Sequence, residues 1–456
     1  MREAEIKKRE QAYRKYLKQS PILYKPLEKI NRLDETPLAE VCNYVLGPGI
    51  TSFIAWTLNT AMHQGKKRLY FLARDGYFMY LAAKMFCEKF QIPIECRYLC
   101  CSRYSIRIPL FHLNIEDALE YICRGGIEVT MEKILNRSGL TKDEQKEVLI
   151  NLKIPILQNE SIPYAKLAEI KNLLKNCDIF IVYMCKHSEE ELPNLKGYLK
   201  QEGLLDDIDS AIIDSGWIGS MQKVLNEVLE KMGHTKKMEG YYWGLYELPV
   251  GVNREEYHCY YFSPERGLSE KVHFSNCLFE VIFSAPHGMT LRYEYKDNNY
   301  RPYYSEIDEK NRRFIGQIEK KLLLYIGCFL ETLTDINHID SCNDKKMIQK
   351  LIKEFMTNPT KQEVEVFGEL SFSDDVLEDA RQSVAAYLDQ KELTANHAFN
   401  KILVMFGIKK DVIIESAWYE GSAVRGDKDV KRHIKQYLIY KYLLYIRKTF
   451  LWRKNG

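Results

Sequence analysis

The sequence predicts an α/β fold: a parallel sheet core with a large helical insertion, and helical N- and C-terminal additions. Three observations lead there. Residues 210–225 read S-A-I-I-D-S-G-W-I-G-S-M-Q-K-V-L, an apolar run closed by an acid, then two glycines, then an amphipathic helical pattern. Residues 68–76 repeat that grammar as R-L-Y-F-L-A-R-D-G. A third apolar run, over 92–101, follows a helical stretch, so strand, crossover helix and strand occur in order. In parallel sheets such turns gather at the carboxyl ends of the strands, where ligands bind.

Composition narrows the possibilities. A chain of 456 residues, 46% hydrophobic, can bury one large core or two to three modest ones. Its formal charge of +3 is nearly balanced and calls for no nucleic-acid partner. The twelve cysteines include no C-x-x-C pair, which excludes zinc-ribbon and dithiol redox motifs on spacing. Scattered thiols with no N-terminal signal pattern fit a reduced, cytoplasmic protein. No apolar stretch reads as a membrane-spanning helix, because Lys441 interrupts the best one.

Taken in order, residues 1–62 read as a helical region. Ile6, Tyr13, Tyr16 and Leu17 stand at helical spacing in the charged stretch 1–35, which predicts a solvated helix with one packed face. Gly47-Pro48-Gly49 predicts a turn that starts a buried helix through Phe53 and Trp56 to Gly65. The core is expected over 63–265, with strands at 66–73 and 92–101 flanking a helix at 77–90. A helical insertion follows at 114–205, then the strand before Asp214, then aromatic strands near 238–248 and 256–262. Within the insertion, 178–183 suits a strand, but the longer run 176–201 favours one helix ending at Gly203. Residues 266–456 are expected to be mostly helical. They carry an apolar helix around Glu280, a turn over 284–288, and a hairpin near 291–304 turning at Asp297-Asn298-Asn299.

Three segments carry candidate chemistry. After Asp214, the stretch Ser215, Gly216, Trp217, Ile218, Gly219 and Ser220, with Gln222 just inside the helix, either cradles a phosphate or caps that helix. Ala73-Arg74-Asp75-Gly76 is either a charged site turn or a favoured Asp-Gly turn. Both follow predicted buried strands, so both belong to the same edge of one sheet. Ser102, Arg103 and Arg107 set two planar donors four residues apart, which suits a diphosphate or an ordinary surface loop. Glu280, an acid in an apolar helix, and His287, a loop histidine, complete the candidates.

Some chemistry is excluded. A haloacid-dehalogenase phosphatase needs a second acid two positions after its nucleophile, where Asp75 is followed by Tyr77 and Asp214 by Gly216. There is no Walker A loop. The D-x-D at Asp207 and Asp209 precedes a strand, and a polar turn explains it.

F-L-A-R-D-G and I-I-D-S-G-W-I-G-S-M-Q, with C-S-R between them and F-E-V-I-F-S-A-P-H-G after, resemble the glycan phosphoribosyltransferases of bacterial surface-polysaccharide clusters. Such proteins are often labelled predicted haloacid-dehalogenase hydrolases, because many carry that phosphatase domain upstream of the module resembled here. The resemblance covers residues 38–292 and implies a phosphoribosyltransferase-like core. It implies transfer of 5-phosphoribose from phosphoribosyl pyrophosphate to a sugar hydroxyl of a lipid-linked glycan, with pyrophosphate leaving. A separate phosphatase would then leave ribofuranose in the product.

The resemblance also implies roles. Asp214 is what remains of an acidic pair, and the loop after it holds the 5-phosphate. Ala73 to Gly76 stands in place of the pyrophosphate loop, with Arg103 and Arg107 adding charge. Asp75 is the first candidate for the base that takes the acceptor proton, and Glu280 the second. Mg2+ is expected on the diphosphate itself, with no dedicated protein metal site. The competing classes are a sugar-nucleotide glycosyltransferase, a haloacid-dehalogenase-like hydrolase and a non-catalytic assembly scaffold. Residues 431–454 hold eight Lys/Arg and no acid among many Tyr, Leu and Ile, with Phe450 and Trp452. That segment either lies peripherally on the inner membrane face or packs as a helix whose basic residues snorkel.

Overall fold

Five parallel strands form the centre of the computed structural model: β1 (Arg68–Leu72), β2 (Glu95–Leu99), β3 (Ser210–Trp217), β4 (Glu239–Leu245) and β5 (Tyr257–Phe262). The structure describes residues 2–455 apart from 31–35, 126–128, 154–159, 161, 337–340, 374–381 and 406–412. The strand order is β2-β1-β3-β4-β5. The chain therefore moves from β1 outward to β2 and then crosses to the other side of β1. That reversal opens a crevice beyond the carboxyl ends of β1 and β3.

Side chains alternate across the sheet. Leu69, Phe71, Ala211 and Ile213 enter one core together with the helix Pro37–His63, whereas Tyr70, Leu72, Ile212 and Tyr242 enter another with the helix Ser220–Lys231. Burial on both faces is why these strands read as unbroken apolar runs. The fold is mixed α/β, as expected.

The N-terminal helix Arg2–Leu17 buries Tyr13 and Leu17. On it, buried Arg9 pairs with Glu354 at 2.7 Å and Glu363 at 2.8 Å, tying the start of the chain to its C-terminal third. Gly47-Pro48-Gly49 does not turn. The chain stays helical from Pro37 to His63, passing through a π-helical turn at Cys42–Leu46. Pro48 lacks an N–H, and the wider turn ahead of it accommodates the missing bond. Gly47 serves contact instead: a Cβ there would stand 2.6 Å from the Tyr325 ring. This helix also corrects the expectation that none is long and apolar enough to span a membrane. By length and composition it is, yet 89% of its apolar window is buried inside the protein, so it is a core helix.

Beyond β2 the chain folds as helices around their own apolar cluster, from Ile108 to Met184. Asp178–Gln201 is one helix, as the longer run predicts, with Pro193 inside it. The hairpin consists of β6 (Thr290–Lys296) and β7 (Asn299–Tyr304), and its turn places Asp297 and Asn298 at φ 53° and 60°. The last helix is Val430–Asn455. One face packs: Tyr437 stacks on Tyr419, Tyr445 on Tyr246, and Lys441 Nζ donates to the Phe274 carbonyl at 2.9 Å. The other face exposes Ile439, Tyr442, Leu443 and Ile446. The side chains of Phe450 and Trp452 lie outside the described residues.

Candidate functional site

β1 ends at Leu72, and Ala73, Arg74, Asp75 and Gly76 turn the chain into the helix Tyr77–Phe90. The Ala73 N–H donates to the Leu99 carbonyl at 3.0 Å, which holds the turn against β2. Gly76 permits a close approach, since a Cβ there would lie 2.5 Å from the Leu72 carbonyl oxygen.

β3 runs further than its sequence suggests. Ser215, Gly216 and Trp217, expected in a loop, are strand residues, with Gly216 opposite Gly244 and Trp217 opposite Leu245. The cause is pairing with β4. Gly216, at φ 111°, lets the Gly244 carbonyl come within 2.5 Å of where a Cβ would stand. The expected phosphate loop is thereby shortened to Ile218 and Gly219. Ser220 then opens the helix Ser220–Lys231, whose N-terminus has no side-chain cap.

This longer strand has a use. Ser215 donates its hydroxyl to Asp75 Oδ2, and the Trp217 indole N–H donates to Glu280 Oε1. β3 therefore grips one acid from the β1 turn and another from the helix Asn276–Ile282. Asp214, just ahead of the gripping residues on the same strand, feels the charge of both acids. All three carboxyls are raised above the ordinary range. Burial and the neighbouring Asp75 push Asp214 up to about 8, and the same two causes raise Glu280. Burial also raises Asp75, opposed by the Ser215 hydroxyl and then by Arg74 and Arg103. Perturbed acids with arginines close by at a switch point are the arrangement expected of a reactive site.

A cavity of about 90 Å³ opens beside Arg74, Asp75 and Glu280. Its far wall is Asp308, Asn311 and Ser371, none of them singled out from the sequence. Asn311 Nδ2 donates to the Ser371 carbonyl at 2.8 Å, fixing that wall. Asp308 is legible only as a helix cap, accepting from the Lys310 and Asn311 N–H groups. No sequence pattern links it to Asp75, more than two hundred positions away.

The remaining expected residues stand apart from the carboxyls. Ser102 caps the helix Arg103–Arg107 and donates to the Thr290 carbonyl at 2.6 Å, so its hydroxyl is engaged in local structure. Gln222 corrects an expectation: it is wholly buried, bonded to the Met238 and Glu256 carbonyls and the Tyr242 hydroxyl, and no ligand reaches it. Arg107 pairs with Asp117 at 3.3 Å rather than with the acids of the cleft. His287 bonds the Tyr98 hydroxyl at 2.9 Å, and burial, opposed by the Gly288 carbonyl and helped by Arg74, lowers its imidazole below the ordinary value. Compared with protein-family models and with curated proteins, the sequence matches none.

Proposed function

We propose that the protein transfers 5-phosphoribose from phosphoribosyl pyrophosphate to a hydroxyl of a glycan, on a phosphoribosyltransferase-like core. One observation carries the reading: three half-buried carboxyls, all raised above the ordinary range, and the guanidiniums of Arg74 and Arg103 meet at the crevice beyond β1 and β3. A sugar diphosphate needs both. Its leaving group is anionic, and its anomeric carbon gathers positive charge as that group departs.

In this reading Arg74, Arg103 and the turn after β1 hold the diphosphate. The acceptor oxygen bonds to the anomeric carbon as the carbon–oxygen bond to pyrophosphate breaks. The acceptor proton passes to a carboxylate. We assign it to Glu280 ahead of Asp75, because burial and Asp75 lift Glu280 toward neutral pH, while the Ser215 hydroxyl opposes that rise at Asp75. Asp75 then faces the positive ribosyl carbon, and Asp214 binds ribose hydroxyls. Magnesium, when bound, makes the diphosphate a better leaving group. Hard carboxylate oxygens suit that ion, which is commonly held by one or two carboxylates plus substrate phosphates. Among the described residues no group of three His, Cys, Asp or Glu side chains is placed to hold a metal ion.

A lipid-linked acceptor belongs to the same reading. The exposed stripe Ile439, Tyr442, Leu443 and Ile446, with Lys431 and Lys435 nearby, is the surface it assigns to an anionic membrane. Titration calorimetry with phosphoribosyl pyrophosphate and magnesium tests the donor. Saturable binding that weakens at least about tenfold in Arg74→Gln supports it. No binding to the wild type overturns it.

A further inference from the structure

Beyond the carboxyls, several arginines gather round one tyrosine. Tyr121, on the helix Ile115–Ile122, is 9% exposed, and its hydroxyl has no hydrogen-bond partner among the described residues. Arg107 lies over its ring, 5.1 Å from the centroid. Arg103, Arg124 and Arg137 also act electrostatically on that phenol. Arg137 is engaged, donating to the Ile122 and Arg124 carbonyls. Arg107's acid, Asp117, is 63% exposed, so the pair is weak and exchangeable. Arg103 and Arg124 are exposed, and neither is ion-paired among the described residues.

Such a cluster is unfavourable when empty. Partial desolvation, then Arg103 and Arg107, lower the Arg124 guanidinium, opposed by Tyr121 and Glu247. A buried hydroxyl without a partner adds a further cost. A phosphoryl group answers both, since its oxygens accept from several guanidinium forks and from a phenol together.

The cluster shares one arginine with the carboxyl cleft and is otherwise made of different residues. The cations acting on Asp75 are Arg74 and Arg103, while those acting on Arg124 are Arg103 and Arg107. Arg103 belongs to both sets. We propose that Arg103, Arg107, Arg124 and Tyr121 form a second anion-binding site, for a phosphate or diphosphate group, outside the carboxyl cleft. Only the source of that group rests on the function proposed above: the diphosphate of a lipid-linked acceptor, or the donor's 5-phosphate.

Calorimetric titration of the full chain with inorganic pyrophosphate tests the site, and two classes of binding are expected. Arg124→Gln and Arg107→Gln should each weaken one class at least about tenfold and spare the other, while Arg74→Gln does the reverse. Tyr121→Phe keeps the ring under Arg107 and should weaken that same class by a smaller factor. Thermal melts identify which variants are folded. Unchanged binding in a folded Arg107→Gln/Arg124→Gln double variant overturns the proposal. A single class abolished by Arg74→Gln alone overturns it as well. Repeating the titration under saturating phosphoribosyl pyrophosphate assigns the source: an outer class that persists belongs to the acceptor, and one that is lost belongs to the donor's 5-phosphate. If phosphoribosyl pyrophosphate does not bind at all while pyrophosphate fills both classes, the second site stands and the donor assignment fails.

Discussion

Ser215 Oγ donates to Asp75 Oδ2 across 140 residues of chain, joining the third strand to the turn after the first. The bond fixes an acid at the mouth of the crevice and opposes the rise that burial imposes on it. Its loss has a definite expected cost. Ser215→Ala should destabilise the fold by about 1–3 kcal/mol, the range for removing one partner of a hydrogen bond shielded from water. Urea unfolding measures this, and an unchanged midpoint would show that the bond does not hold Asp75.

Asp214 makes stability depend on pH. Its folded value of about 8 lies above the ordinary 3.8, so the folded protein holds that proton more tightly than the unfolded chain. The resulting stability is fully present below about pH 4 and lost as the pH rises toward 8. Asp214→Asn removes the titration. The variant should exceed the wild type at pH 8 by on the order of 2 kcal/mol or more, and the gap should close toward pH 4. Parallel profiles for the two proteins would contradict the burial of an ionising Asp214.

Gly47 offers a test independent of function. A Cβ at that position would meet the Tyr325 ring at 2.6 Å, within a fully packed helix pair. Gly47→Ala should cost about 1–3 kcal/mol by overpacking, although alanine is the better helix former. A gain in melting temperature would mean that the helix turns at Gly47 after all.

The C-terminal helix presents Tyr442 and Leu443, 49% and 47% exposed, beside a groove of about 570 Å³ rimmed by Lys431 and Lys435. Tyr442→Glu/Leu443→Glu should leave the melting temperature nearly unchanged, because both side chains face solvent. Co-sedimentation with vesicles containing anionic lipid should fall at least about tenfold, since charge would replace apolar contact. Equal sedimentation of the variant and the wild type would assign the stripe another role.

How much of this was legible follows from what each residue depends on. Asp75 and Asp214 could be placed because buried parallel strands announce themselves as apolar runs, and acids closing two such runs fall on one edge. Glu280 could be singled out as an acid amid apolar neighbours. The extent of β3 could not be read, since Ser215-Gly216-Trp217 resembles a loop by composition and becomes strand only through its ladder with Gly244 and Leu245. Gln222 looked available because it is polar, and only the packing of its helix on the sheet shows it enclosed. Asp308 and Asn311 reach the cavity through a tertiary arrangement that no local pattern encodes. Arg124 and Tyr121 carry no motif at all, and their meeting with Arg107 depends on how the insertion folds back.

We propose the crevice beyond β1 and β3 as the place where a phosphoribosyl group is transferred. The most direct measurement is pyrophosphate release from phosphoribosyl pyrophosphate with magnesium, with and without lipid-linked or synthetic glycan acceptors. Release should require the acceptor, fall at least about a hundredfold in Glu280→Gln, and be lost in Asp75→Asn and Asp214→Asn variants that remain folded. Absence of release from the wild type with every acceptor, together with no thermal stabilisation by phosphoribosyl pyrophosphate, would contradict it.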